Sequence, residues 1–221
     1  MPKKPKSHAP TARQPKMWSA TAMPGAGKTD ILIDLVNRKL KASTRALIVD
    51  PDGAEQKWDR FKRIEGGITQ LDPKFTGAVV IDYDEKAKGV EGTFEFLWNK
   101  LIKPGKLKNF TLVLDDPNVY AKDKLIPELT NLLRRKRQHN YEILTTAHSW
   151  GETPKSFLRF IDIFLLGPTA TGPEDRKDIL GPAKTAKHLQ WKAKADAEAR
   201  AAKAAGRKHR FFAFDKDGES L

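Results

Sequence analysis

Residues 22–29 read Ala22-Met23-Pro24-Gly25-Ala26-Gly27-Lys28-Thr29, and from Lys28 onward Ile31, Leu32, Leu35, Val36 and Leu40 recur at the spacing of one helix face. A GxxxxGK[ST] loop that opens a helix can cradle a phosphate. Its small residues let successive backbone amides turn inward, and the helix start adds the positive end of its dipole. Ala22 stands at the leading glycine position here, while Gly25 and Gly27 keep the two places that most need conformational freedom. Lys28 is the charge that reaches the outer phosphates, and Thr29 offers a hydroxyl to magnesium. Ala22 through Asp30 are therefore the expected nucleotide-binding residues. Short patterns of this kind also arise by chance, so the reading depends on its surroundings.

The strongest support is FTLVLDD, residues 110–116. An apolar strand ending in two carboxylates delivers charge to the C-terminal edge of a parallel sheet, where a phosphate loop also lies. Asp115 is then the second support for magnesium, beside Thr29, and Asp116 is the acceptor for a proton from the attacking water. The plainer alternative is a strand-to-turn boundary, since Pro117 follows Asp116.

Outward from these two motifs, short apolar runs alternate with helical patterns. MWSATA (17–22), RALIVD (45–50), GAVVIDY (77–83), FTLVLDD, YEILTTAH (141–148) and FIDIFLLG (160–167) read as strands. Helices are expected after Lys28, over 91–102 and around Asp123 to Gln138. The fold class that follows is α/β, a three-layer sandwich with a mostly parallel central sheet and helices on both faces. MWSATA is polar for a strand in that position. Phe94, Leu97, Trp98 and Leu101 read as core packing rather than a stacking platform. Residues 167–182 read as loop and 189–210 as a helix rich in alanine, lysine and arginine without a continuous apolar stripe, exposed or docked on something acidic. RFFAFD closes the chain as a short strand. The expected organisation is a disordered basic arm over 1–16, an ATPase core over 17–180 and a basic helical extension over 181–221.

The 221 residues carry a formal net charge of +13 and no cysteine. The absence of cysteine excludes disulfides and thiolate metal sites and fits a reducing compartment. No apolar stretch approaches the roughly 18–20 residues that cross a bilayer, and the N-terminus lacks the apolar segment of a signal peptide, so a soluble protein is expected. The positive surplus gathers at the two ends, and a surplus of that sign points first to a polyanion such as nucleic acid. Lys184, Lys187, Lys192, Lys194, Arg200, Lys203, Arg207, Lys208 and Arg210 are the C-terminal candidates, for DNA phosphates or equally for an acidic protein surface.

Two further features bear on catalysis. YEILTTAH ends in Thr145, Thr146 and His148, where a polar side chain beside the acidic strand can touch the outermost phosphate or its water; a lone histidine at a strand end is more often structural. Upstream, Arg134, Arg135, Lys136 and Arg137 close a helix. Cations favour that helix end anyway, but an arginine there is also a candidate finger, supplied across a subunit interface to a transferred phosphate.

Taken in order, AMPGAGKT, FTLVLDD and RRKRQHNYEILTTAHSW resemble the FtsK/HerA superfamily of ring-forming, DNA-pumping ATPases over about residues 17–167. The branches it resembles most are the genome-packaging ATPases of tailless, membrane-containing viruses, with the Zot-like proteins of filamentous phages next. The family places an arginine eleven residues before the polar sensor, which from His148 is Arg137, with Arg134 and Arg135 as alternatives. Three residues depart from the family pattern: the sensor is commonly glutamine, the water-activating residue commonly glutamate, and the loop commonly begins with glycine. These departures bear on hydrolysis rate more than on nucleotide binding. The resemblance implies ATP and Mg2+ as cofactors and a homo-oligomeric ring of five or six subunits threading double-stranded DNA. It also implies capsid vertex or portal proteins as partners, and a place in the host cytoplasm or virion.

Three other readings compete. A nucleotide-gated DNA-binding adaptor with little hydrolysis, or a Zot-like assembly and secretion ATPase, would use the same loop. A small-molecule kinase would too, but no Arg-rich lid segment is visible.

Overall fold

The computed structural model describes residues 14–42, 44–50, 55–82, 89–119 and 125–221. The first 13 residues of the basic arm, residues 84–88 and the start of the helix expected from Asp123 lie outside the described residues. In chain order the elements are β1 (Met17–Thr21), α1 (Lys28–Lys41), β2 (Arg45–Asp50), β3 (Lys62–Arg63), β4 (Ala78–Asp82), α2 (Gly89–Phe96), β5 (Phe110–Leu114) and α3 (Pro127–Arg135). Then follow β6 (Tyr141–Ala147), α4 (Lys155–Leu158), β7 (Ile163–Leu166), α5 (Lys177–Leu180), α6 (Pro182–Ala204) and β8 (Phe212–Asp215).

All eight strands join one sheet in the order β3-β4-β2-β5-β6-β1-β7-β8. Every pairing is parallel except that of β8, which returns antiparallel to β7. The alternation along each strand divides the core into two layers. Leu47, Val49, Leu112, Leu114 and Ile143 face α2 and α3, through Phe94, Leu129, Leu132 and Leu133. Ala46, Ile48, Val113 and Leu144 face α1, through Leu32, Ile33 and Val36. Strands buried on both faces are what βα crossovers produce, and they account for the near-continuous aliphatic runs.

The polar strand β1 lies inside the sheet, paired on one side with β6 and on the other with β7. It tolerates burial because its two hydroxyls satisfy each other, Ser19 Oγ lying 3.1 Å from Thr21 Oγ1. The run 91–102 divides into two parts. α2 ends at Phe96, and residues Leu97–Ile102 continue as a wide π turn that buries Leu97, Trp98, Leu101 and Ile102. The two-residue edge strand β3 has no recognisable pattern in the sequence.

The C-terminal region differs most from the sequence reading. α6 begins at Pro182, seven residues before the expected start, because Gly181 with φ of 76° turns the chain and proline is preorganised for the first helical position. The helix stops at Ala204, before Gly206. Residues 167–182 contain a 3-10 turn over Pro173–Arg176 and the short α5. α6 packs on this chain's own core, through an aromatic seat rather than an aliphatic stripe. His188 is fully buried with its ring centroid 5.3 Å from Trp150, 5.2 Å from Phe164 and 5.0 Å from Phe214, and Trp191 stacks on Phe214 at 5.2 Å.

His188 makes stability depend on pH. Burial pushes its pKa down to about 4, against the opposing pull of the Lys216 carbonyl, 3.3 Å from Nε2, and of the Asp215 and Asp217 carboxylates. The unfolded chain therefore binds more protons between about pH 6.5 and 4, so this contribution is intact above pH 6.5 and is lost as pH falls through that window. The expected loss is about 3 kcal/mol between pH 7 and pH 4. Chemical denaturation across that range should show it, and His188→Phe should flatten the slope. An identical slope in the variant would assign the acid sensitivity elsewhere.

Candidate active site

The C-terminal ends of β1, β2, β5 and β6 open onto one cleft of about 370 Å³. The loop after β1 is clamped between its neighbours, Ala22 N donating to Ala147 O at 3.0 Å and Met23 N to Pro168 O at 2.7 Å. Gly25 and Gly27 both sit in the left-handed region, with φ of 75° and 84°, where a side chain would be strained. α1 follows with Gly27 as N-cap and no side-chain cap. Its first-turn N–H groups thus lack intrahelical acceptors and form an anion seat at the positive end of the helix.

Ala22 is fully buried against Gly167. A Cβ on Gly167 would stand 3.0 Å from both Ala22 Cβ and Phe211 Cε1. The methyl of Ala22 thus fits because the facing position has none. Gly167→Ala is expected to cost about 1–3 kcal/mol through overpacking, read as a lower melting temperature. An unchanged melting temperature would show that the loop and Phe211 yield freely.

Lys28 is almost fully buried, its Nζ 3.2 Å from Met23 O and 3.2 Å from His148 Nδ1. Burial lowers its pKa, against the opposing pull of Asp115, Asp116 and Glu152. An ammonium has only donors, so His148 Nδ1 must accept and the ring proton sits on Nε2. That nitrogen faces Asp116 Oδ2 at 3.7 Å. His148 therefore stands between the lysine and the second carboxylate.

Both oxygens of Asp115 are engaged. Oδ1 accepts from Thr146 Oγ1 at 2.7 Å and from Asp116 N at 3.1 Å, and Oδ2 accepts from Trp58 Nε1 at 2.7 Å. Asp116 adopts a left-handed φ of 40°, which aspartate tolerates better than most residues. Its N–H also reaches Thr146 Oγ1 at 3.0 Å, and its Oδ1 accepts from Asn118 N at 3.3 Å. Asp50, at the end of β2, lines the same cleft, and burial pushes its pKa up to about 6 despite the opposing guanidinium of Arg63.

Thr29 donates to Glu55 Oε2 at 3.4 Å, and Asp30 is paired with Lys57 at 3.0 Å. Thr29 and Asp115 form an all-oxygen set of the kind a hard cation takes. Among the described residues no group of three or more His, Cys, Asp or Glu could hold a metal unaided, so a cation here would have to bring phosphates and water as its other ligands. Trp58, Glu55 and Asp50 were not legible as site residues. Asp50 ends an apolar run as Asp115 does, which was the available signal; Trp58 and Glu55 carry none.

The arginines lie elsewhere. Arg134, Arg135 and Arg137 are exposed at the end of α3, just before the N-terminal end of β6, whereas the cleft lies beyond its C-terminal end. Seven strand residues separate the two edges, about 20 Å. None of the three lines the cleft of its own chain. Lys136, by contrast, is buried and pairs at 3.2 Å with Asp162, whose Oδ2 accepts from Met17 N at 2.8 Å, a structural role. Several C-terminal cations are used internally: Lys184 pairs with Asp217, Lys187 with Glu219, Lys192 with Asp196 and Arg207 with Glu198, and Lys194 lies over the Trp191 ring. Among the described residues Arg200, Lys203, Lys208 and Arg210 have no such side-chain ion pair with a carboxylate.

No family model matches the chain, and no curated protein matches it in sequence. Solved structures do match. The genome packaging NTPase B204 from Sulfolobus turreted icosahedral virus 2, in complex with AMPPCP, is 17% identical, with a TM-score of 0.63 over 93% of this chain and 94% of that one. B204, the DNA-packaging ATPase from Sulfolobus turreted icosahedral virus, is 16% identical, with a TM-score of 0.62 over 93% and 95%. The fold is that of a P-loop NTPase. VirB4 of Thermoanaerobacter pseudethanolicus shares it at a TM-score of 0.52 and 14% identity, over 82% of this chain and 84% of that one. The cleft lies at the C-terminal edge of the parallel strands of that fold.

Proposed function

We propose that this chain is an ATP-hydrolysing DNA translocase that packages double-stranded viral DNA into a preformed capsid as a homo-oligomeric ring of five or six subunits. The observation that carries the reading is the convergence of Lys28, Thr29, Asp115, Asp116 and His148 on one cleft that no arginine among the described residues lines. The loop amides and Lys28 hold the phosphates. Thr29 and Asp115 hold magnesium, which on binding with ATP neutralises phosphate charge. Water attacks the γ-phosphorus, the bond to the bridging oxygen breaks, ADP leaves with that oxygen, and the water's proton passes to the Asp116 carboxylate. His148 takes the sensor position between that carboxylate and Lys28. Charge still developing on the phosphoryl oxygens is met by Arg137 of the adjacent subunit, with Arg134 or Arg135 as the other candidates.

The packaging NTPases of similar fold support the DNA-packaging setting, with capsid vertex or portal proteins as partners and the host cytoplasm or virion as location. No helix among the described residues is long and apolar enough to cross a membrane. Of the C-terminal cations, Arg200, Lys203, Lys208 and Arg210 are the ones left for phosphate contacts without sequence readout, as a motor moving along any sequence requires.

Translocation is tested by ATP-dependent displacement of a third strand annealed to linear duplex DNA. Displacement that needs ATP is the expected result. ATP-dependent DNA binding without displacement would favour the nucleotide-gated adaptor.

A further inference from the structure

The segment between β2 and β3 contributes more to the cleft than any motif announces. Glu55 caps a 3-10 turn over Gln56–Arg60, its Oε1 accepting from Lys57 N at 3.1 Å. From that turn Glu55 reaches Thr29, and Trp58 reaches Asp115. These are the two residues on which the ATPase reading places magnesium, and the inference rests on that reading.

We propose that the Glu55–Arg60 turn is the positioning element of the metal site, with Trp58 acting through Asp115 and Glu55 through Thr29. The bond geometry supports it at both ends. Trp58 is fully buried, and an indole N–H in an apolar layer is costly to bury without an acceptor. Its acceptor is Asp115 Oδ2, while Thr146 and Asp116 N hold Oδ1. The three bonds fix the plane of the carboxylate, and Oδ2, with Trp58 as its one donor, keeps a lone pair for a metal-bound water. At the other end, Thr29 gives its hydroxyl proton to Glu55 and so keeps its oxygen lone pairs for a cation. The turn itself is anchored from the far side. Arg63 in β3 donates to Asp50, Asp59 and Asp82, tying the segment to the ends of β2 and β4.

Neither Trp58 nor Glu55 is needed to bind the phosphates, so their removal should separate two affinities that a general loss of structure would lower together. The test is binding of a fluorescent ATP analogue to the full chain, first in EDTA and then titrated with MgCl2. Trp58→Phe keeps the ring and removes the donor. It is expected to raise the half-saturating magnesium concentration about tenfold or more, with affinity in EDTA unchanged. Thr146→Val, which removes a donor to the other oxygen from a different strand, should shift magnesium in the same direction. Glu55→Gln keeps an acceptor and should stay near wild type, whereas Glu55→Ala should not; this pair decides the matter if Trp58→Phe does not fold. A magnesium dependence within twofold of wild type in Trp58→Phe or in Glu55→Ala would overturn the proposal. So would a parallel loss of both affinities in a folded variant. Failure of the wild-type protein to bind the analogue at all would instead contradict the ATPase reading beneath it.

Discussion

Lys28→Ala is expected to reduce ATP hydrolysis by about 100-fold or more, the scale of losing one preorganised donor to developing charge, while the protein stays folded. The expected size follows from what else the cleft holds. Lys28 Nζ is fixed by Met23 O and His148, whereas Lys57, the other cation lining the cleft, is paired with Asp30. Among the described residues no other free cation lines the cleft to take over. The substitution also leaves His148 Nδ1 without its donor, so the ring loses the constraint that aims Nε2–H at Asp116. Lys28→Arg should not rescue, since a planar fork does not reproduce a point charge held between a carbonyl and an imidazole. Comparable turnover in Lys28→Ala and wild type would show that this cleft is not where ATP is hydrolysed.

The second large effect concerns the opposite edge of the sheet. Arg137→Ala should bind ATP as wild type does, yet lose about 10³-fold in turnover, the lower range for an arginine finger. Because Arg137 stands a strand's length from its own cleft, the loss should pass between subunits. Mixed with an equal amount of wild type, the variant should silence far more than its share of activity if the ring fires in coordination, since few rings then lack a variant subunit. Activity that falls only in proportion to the variant added would mean that each subunit works alone. Normal turnover would move the role to Arg134 or Arg135.

How much of this was legible depended on where the physical constraint was local. The phosphate loop is dictated by a short run in which glycine, lysine and threonine each answer a separate need, and the apolar run before Asp115 announces both a buried strand and its charged end. The aliphatic strands and the mostly parallel sheet followed from the same alternation. β1 read thinly because its hydroxyls pair with each other, a fact that no hydropathy pattern carries. α6 read as a basic helix, exposed or docked on something acidic, with no visible seat, because its buried face is made of Thr185, His188, Ala195 and Ala202, with Trp191 beside them, and its lysines pair with carboxylates in the chain's last residues. Trp58 and Glu55 were invisible for a different reason. Their meaning lies in contacts with Asp115 and Thr29, 57 and 26 residues away, and a sequence without a motif does not report such distances. The arginine cluster was legible as a cluster. Its separation from the chain's own cleft required the direction of β6.

The most direct test of the central claim is ATP hydrolysis by the purified full-length protein with and without long double-stranded DNA, with Lys28→Ala as control. Turnover that rises with DNA and disappears in the control is the predicted result. Tight ATP binding with no turnover in either condition would contradict the motor and leave a nucleotide-gated DNA-binding protein in its place.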